Sequence, residues 1–88
     1  MRYQITGKQI NVGQALKAHV EQELEDVVDK YAERPTDAHV VFSKDSNAFT
    51  CEAVVHLSTG LTAQAHAQAH EIYAAFDKCC EKMEKQLR

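Results

Sequence analysis

The chain has 88 residues, of which 44% are hydrophobic and 26% charged, and this size and balance are typical of one small soluble domain. A core this thin excludes a large buried active-site cavity, and no stretch approaches the roughly 18 apolar residues that cross a bilayer. The formal net charge of -3 means that a polyanion would have to be attracted by a local basic patch rather than by the whole protein.

The first two predicted elements are a strand and a helix. Residues 2–6 alternate between polar and apolar side chains, with Tyr3 and Ile5 on one side, which predicts a half-buried strand. A helix is predicted from about Gln14 to Glu33, and Pro35 follows it as a stop signal. The apolar residues of this helix recur at steps of three and four residues: Leu16, Val20, Leu24, Val27 and Tyr31.

Three alternating stretches follow and predict strands over residues 38–44, 48–57 and 61–68. The last of these is predicted to turn small side chains and one leucine inward: Leu61, Ala63, Ala65 and Ala67. Small alanines would let a helix pack closely on the sheet. A second helix is predicted over residues 70–88, because its apolar residues share one side: Ile72, Phe76, Cys79, Met83 and Leu87.

The order of elements is therefore β-α-β-β-β-α, which predicts an α+β domain over residues 1–88. Each helix has a single apolar side to bury, so both are expected on one face of a four-stranded sheet. The opposite sheet face is predicted to be open and to hold no aromatic side chain that could stack on a base. Any contact with RNA would then involve the nucleic-acid backbone rather than base stacking.

The second helix has basic residues away from its apolar side, namely Lys78, Lys82, Lys85 and Arg88. Such a side can bind phosphate groups. It can equally be a solvated helix surface, because cations near a helix C-terminus are favoured by the helix dipole and by pairs such as Glu81 with Lys85.

Three segments, together with the order of elements, resemble the ribosome hibernation-promoting factor family, also called the ribosome-associated inhibitor or sigma-factor-modulation family. They are ITGKQINV near the start, HVVFSK in the second strand and EIYAAFDKCCEKMEKQL in the last helix. The N-terminus has no long apolar run, so the cytoplasm is the default location, and no cofactor is expected. The resemblance implies a factor without enzymatic activity. It would bind the small ribosomal subunit through ribosomal RNA backbone, block the messenger and transfer RNA sites, and inhibit translation in stationary phase or stress.

In this family both helices present basic side chains to RNA, so the resemblance implies an RNA-binding set in this chain. The positions that keep a basic residue are Lys8, Lys17, Lys30, Lys44, Lys78, Lys82, Lys85 and Arg88. The first helix departs from the family pattern, because its solvent side is acidic. We call Glu21, Glu25, Asp29 and Glu33 the acidic ridge.

The acidic ridge places like charges four residues apart, at a cost of a few tenths of a kcal/mol for each pair. One interpretation is that the ridge is only a solubilising surface. The alternative to RNA binding is a protein-interaction module in which the ridge meets a basic partner, including the basic helix of a second copy in a homodimer.

Histidine and cysteine side chains are the remaining groups that could support chemistry. His39, Glu52 and His66 would be neighbours on the open sheet face, where they form either a zinc or pH-responsive site or ordinary polar surface. The three cysteines, Cys51, Cys79 and Cys80, lack a CxxC spacing and fit a reducing compartment. We expect them to be core residues, with no catalytic residue and no metal site in the chain.

Overall fold

The computed structural model describes residues 2–31 and 35–88, and its elements follow the predicted order. The four strands and two helices are β1 (Arg2–Lys8), α1 (Gln14–Tyr31), β2 (Pro35–Asp45), β3 (Ala48–Leu57), β4 (Thr62–Ala69) and α2 (Ile72–Leu87). The predicted fold class is confirmed. The predicted end of α1 at Glu33 lies outside the described residues.

The strands form one sheet in the order β1-β2-β3-β4. β1 pairs in parallel with β2, across the crossover made by α1, whereas β2, β3 and β4 form an antiparallel meander. The β2–β3 hairpin turns through Ser46 and Asn47, and Ser46 adopts a φ of 57°, the left-handed region that such short turns favour. Since β1 and β4 end at the same end of the sheet, α1 and α2 run in the same direction.

The core lies between the sheet and the two helices. From α1 it takes Leu16, Val20, Leu24 and Val28, and from α2 it takes Ala75, Phe76, Cys79, Cys80 and Met83. The inward alanines of β4, Ala63, Ala65 and Ala67, are buried as predicted. Their small size lets α2 approach the strand so closely that the Cys79 thiol donates a hydrogen bond to the Ala65 carbonyl at 3.5 Å.

The buried apolar residues differ from the sequence prediction in two places, before β4 and near the end of α1. Leu61 was expected to face inward, but 67% of its surface is exposed, because β4 begins at Thr62 and Leu61 belongs to the preceding turn. In α1 the residue that is fully buried near the end is Val28, while Val27 and Tyr31 are only partly buried.

Strand β1 continues two residues beyond its predicted end, through Gly7 to Lys8. The chain then folds back over Gly7, and a Cβ atom on that residue would lie 2.4 Å from the Ile10 carbonyl oxygen. Gln9 adopts a φ of 62° in the same turn. The ITGKQINV segment therefore owes its glycine to a close backbone approach.

A helix that crosses a bilayer has to be both long and apolar. Within residues 2–31 and 35–88, neither helix meets both requirements for crossing a membrane.

Candidate nucleic-acid interface

Helix α2 lies beside the free edge of β4 and presents a row of lysines there. Lys78, Lys82 and Lys85 fall within about 60° of one another around the helix axis, at 100° per residue. We call these three residues the basic strip. The Lys82 ammonium donates a hydrogen bond to the His66 carbonyl oxygen at 3.0 Å, which fixes the strip on the β4 side of the helix.

At Gln64 the edge of β4 is covered by the Gln86 side chain. The Gln86 amide oxygen accepts a hydrogen bond from the Gln64 backbone N–H at 2.9 Å, and its amide nitrogen donates one to the Gln64 carbonyl. Gln86 thereby supplies both bonds that a neighbouring strand would make. It ties the last turn of α2 to the sheet and blocks edge-to-edge pairing at this point.

Two open depressions lie along this side of the molecule. The first is lined by residues of β3, β4 and α2: Glu52, Gln64, Ala65, His66, Lys82 and Gln86. The second lies farther along β4 and is lined by Ala48, Gln68, Ala69, His70 and Lys78. Each depression holds one lysine of the basic strip, and no phenylalanine, tyrosine or tryptophan of the described chain lines either one.

The side of α2 that faces α1 has the opposite charge. A groove between the helices, the interhelix groove, is lined by His19, Glu23, Val27, Asp77, Cys80, Glu81 and Glu84. His19 bridges the helices, because its Nε2 atom lies 3.2 Å from a carboxylate oxygen of Asp77. The same imidazole packs edge-on against the rings of Tyr73 and Phe76. Among the described residues, four carboxylates and no lysine or arginine line this groove.

The basic residues of α1 do not join the basic strip. Lys17 and Lys30 are about 140° apart around the axis of α1, so they lie on different sides of that helix. The Lys30 ammonium sits 5.3 Å from the ring centre of its neighbour Tyr31. The interhelix groove, with its carboxylates, separates α1 from the strip on the far side of α2.

The remaining predicted cations lie at the ends of elements. Lys8 is the last residue of β1 and pairs with Ser43, beside Lys44 near the end of β2, so these two lysines are neighbours at one end of the sheet. The Lys44 ammonium lies 5.4 Å from the Phe49 ring centre. Arg88 caps α2, where its backbone N–H bonds the Glu84 carbonyl.

Three residues of the acidic ridge, Glu21, Glu25 and Asp29, lie close enough to Tyr3 of β1 to affect its pKa. The fourth, Glu33, is outside the described residues. Burial raises the pKa of Tyr3 to about 12, and the carboxylates of Glu25, Asp29, Glu21 and Asp26 add to the shift. The Tyr3 hydroxyl is enclosed and has no hydrogen-bond partner in the described part of the chain. The domain therefore has an acidic side on α1 and a basic side where α2 lies beside β4.

The histidines and cysteines do not assemble into a chemical site. Glu52 pairs directly with His66, but His39 pairs with Val54, which lies two residues beyond Glu52 along β3. Among residues 2–31 and 35–88, no group of three or more His, Cys, Asp or Glu side chains has an arrangement that could hold a metal ion. All three cysteines are buried and free.

Two of the three thiols are also electrostatically unsuited to act as nucleophiles at neutral pH, whereas a hydrogen bond with Cys51 lowers the pKa of the fully buried Cys79. A hydrogen bond with Cys79, followed by burial, raises the pKa of Cys51. Burial, with a contribution from Glu23, raises the pKa of Cys80 to about 12. Because the thiolate is the reactive form, these two cysteines act as packing residues.

Sequence reasoning missed two features of this candidate interface. One is the role of Gln86, which requires knowing that α2 packs beside β4. The other is the acidic lining of the interhelix groove, for which a signal existed: Asp77, Glu81 and Glu84 recur at four and three residues along one side of α2.

Comparison with known proteins gives consistent matches over the whole fold. The profile of the family described as Sigma 54 modulation protein / S30EA ribosomal protein matches residues 3–88. A ribosome hibernation promotion factor of Bradyrhizobium diazoefficiens is 34% identical over 88 residues, which are 100% of this chain and 43% of that protein. One of Rhizobium meliloti is 32% identical over 100% of this chain and 46% of the relative. The chain thus spans less than half the length of these two relatives.

A solved structure has the same fold. The ribosomal subunit interface protein from Coxiella burnetii superimposes with a TM-score of 0.86 at 26% sequence identity. The match covers 99% of this chain and 93% of that one.

Proposed function

Because the chain belongs to the family of Sigma 54 modulation protein / S30EA ribosomal protein, we propose that it is a ribosome hibernation factor that binds the small ribosomal subunit through ribosomal RNA backbone. Membership confirms the resemblance found in the sequence and the prediction that the domain is not an enzyme. Occupying the messenger and transfer RNA sites would inhibit translation in stationary phase or stress, in the cytoplasm where ribosomes work.

The observation that best supports this proposal is the basic strip. Its three ammonium groups lie on one side of one helix, and within the described residues none of them is at ion-pair distance from a carboxylate. Lys82 also donates to the His66 carbonyl, but its ammonium keeps two further donors for phosphate. We assign Lys78, Lys82, Lys85 and Arg88 as the principal contacts, with Lys8, Lys17, Lys30 and Lys44 as secondary ones.

Co-sedimentation with ribosomes at two salt concentrations tests the proposal. We expect binding that weakens steeply with salt, because each phosphate contact releases condensed counterions. The double variant Lys82→Gln, Lys85→Gln should reduce binding by about tenfold or more. Gln14→Glu with Gln22→Glu on α1 changes the net charge equally and is the matched control, since both residues are exposed. Equal losses in the two double variants, or no sedimentation of the unmodified chain in dilute buffer, would refute the proposal.

Self-association is a second candidate function, favoured by the opposite charges on the α1 and α2 sides of the domain. In it the acidic ridge of one copy meets the basic strip of another. Sedimentation equilibrium tests it: a dimer that dissociates with salt, from a chain that ignores ribosomes, would support this candidate over the first. A monomer across the concentration range would eliminate it.

A further inference from the structure

The basic strip and the interhelix groove give α2 two sides of opposite charge, and this restricts where RNA can lie. The strip and the row formed by Asp77, Glu81 and Glu84 are about 100° apart around the helix axis. A phosphate in the interhelix groove would face those carboxylates and Glu23 at close range. A phosphate on the β4 side would face ammonium groups instead.

The β4 side also offers a continuous path. The two depressions are both lined by β4, the first around Gln64 to His66 and the second around Gln68 to His70. Lys82 lines the first and Lys78 lines the second. These lysines are four residues apart, which is about 6 Å along the helix, so two neighbouring phosphates of one strand are within reach of their flexible side chains.

The edge of β4 is unsuited to a protein strand at the same place. Gln86 and Lys82 already bond the outward backbone groups of Gln64 and His66, so an added strand would have to displace both side chains. Positive charge, open depressions and an occupied strand edge together fit a nucleic-acid backbone better than a peptide. The depressions also lack a described Phe, Tyr or Trp side chain, which fits contact with phosphate and sugar rather than with bases.

We propose that one RNA strand runs along the β4 side of α2, with phosphates at Lys78 and Lys82, and that the interhelix groove remains free of RNA. This inference rests on the proposed function and deepens it, because it moves the footprint away from the surface between the two helices. Lys17 and Lys30 then contribute little to binding. Glu52, which lines the first depression, is the carboxylate that opposes it most directly.

The salt dependence of binding to isolated small subunits separates the two footprints. For each phosphate that the protein no longer neutralises, the slope of log affinity against log salt should fall by about 0.7 to 0.9. Lys78→Gln with Lys82→Gln should therefore lower the slope by about 1.4 to 1.8. Lys17→Gln with Lys30→Gln removes the same charge at two secondary contacts and should lower the slope by less. Equal decreases in slope for the two pairs, or a larger decrease for the α1 pair, would overturn the inference.

Two further variants guard against a structural cause. Lys82→Arg keeps the charge and should keep the slope of the unmodified chain. Lys78→Gln alone removes the charge of a lysine that has no backbone hydrogen bond among the described residues, so it tests the charge separately from that bond. Removal of single carboxylates gives an independent comparison. Glu52→Gln should tighten binding by about threefold, whereas Glu23→Gln in the interhelix groove should change it less. Tighter binding from Glu23→Gln than from Glu52→Gln would place RNA in the groove and contradict the inference.

The outcome also distinguishes this inference from the proposed function. If the chain binds small subunits and the slope falls mainly in the Lys17 and Lys30 variant, the chain remains a ribosome-binding factor, but its RNA footprint lies between its helices. A chain that does not bind small subunits at any salt concentration fails the proposed function itself.

Discussion

Replacing Gln86 tests whether one side chain holds α2 against the sheet. Its amide makes two hydrogen bonds to the backbone of Gln64, one as acceptor and one as donor. A typical hydrogen bond contributes about 0.5 to 1.5 kcal/mol, and the exposed position favours the lower half of that range. Gln86→Met keeps the size and removes both bonds, so we expect a decrease in stability of about 1 kcal/mol.

Gln86→Glu should cost more, about 2 kcal/mol, because one carboxylate oxygen would face the Gln64 carbonyl oxygen where a donor stood. Urea unfolding measures both changes. With a slope of about 2 kcal/mol per molar urea, the midpoints should fall by about 0.5 M for Met and about 1 M for Glu. Gln68→Glu, on an exposed position of the same strand, is the charge-matched control and should change the midpoint little. An unchanged midpoint for Gln86→Glu would refute the role assigned to this residue.

Three other predictions concern stability and reactivity. Gly7→Ala should destabilise the domain by about 2 kcal/mol or more in urea unfolding, because its Cβ would meet the Ile10 carbonyl oxygen at 2.4 Å. Gly13→Ala is the control: its Cβ would have open space around it, so it should cost less than about 1 kcal/mol. The raised pKa of Tyr3, about 12 against an ordinary 10, means that the unfolded chain loses this proton first as pH rises. The free energy of unfolding should therefore fall between about pH 10 and 12, and it should fall by less in Tyr3→Phe. The same decline in both proteins would contradict the raised pKa of Tyr3. A water-soluble aromatic disulfide reagent should modify the buried thiols of Cys51, Cys79 and Cys80 at the rate of unfolding, and an immediate reaction in native buffer would contradict their burial.

The order of elements was predictable from the sequence because each element has a strong local pattern. Inward alanines on β4 and the apolar spacing of both helices are local periodicities that the fold keeps, except that Val28 rather than Val27 is fully buried near the end of α1. The prediction for Leu61 was wrong because it also relied on a local pattern. A leucine two residues before Ala63 continues the alternation, although the turn at Gly60, with a φ of 91°, delays the strand until Thr62.

The candidate interface was harder to predict, because it depends on which neighbours each side of α2 acquires. Helical angles alone grouped Lys78, Lys82 and Lys85, but they did not reveal that Lys82 reaches the His66 carbonyl. They likewise did not show that the acidic side of α2 turns toward α1 and bounds a groove with Glu23. Those relations join residues far apart in the chain and follow from packing, not from local periodicity.

A structure of the chain bound to the small ribosomal subunit, determined by electron cryomicroscopy, tests the central claim most directly. We predict RNA phosphates within hydrogen-bond distance of the Lys78 and Lys82 ammonium groups, and none in the interhelix groove between His19 and Glu84. A complex in which the β4 side of α2 faces solvent would contradict the account.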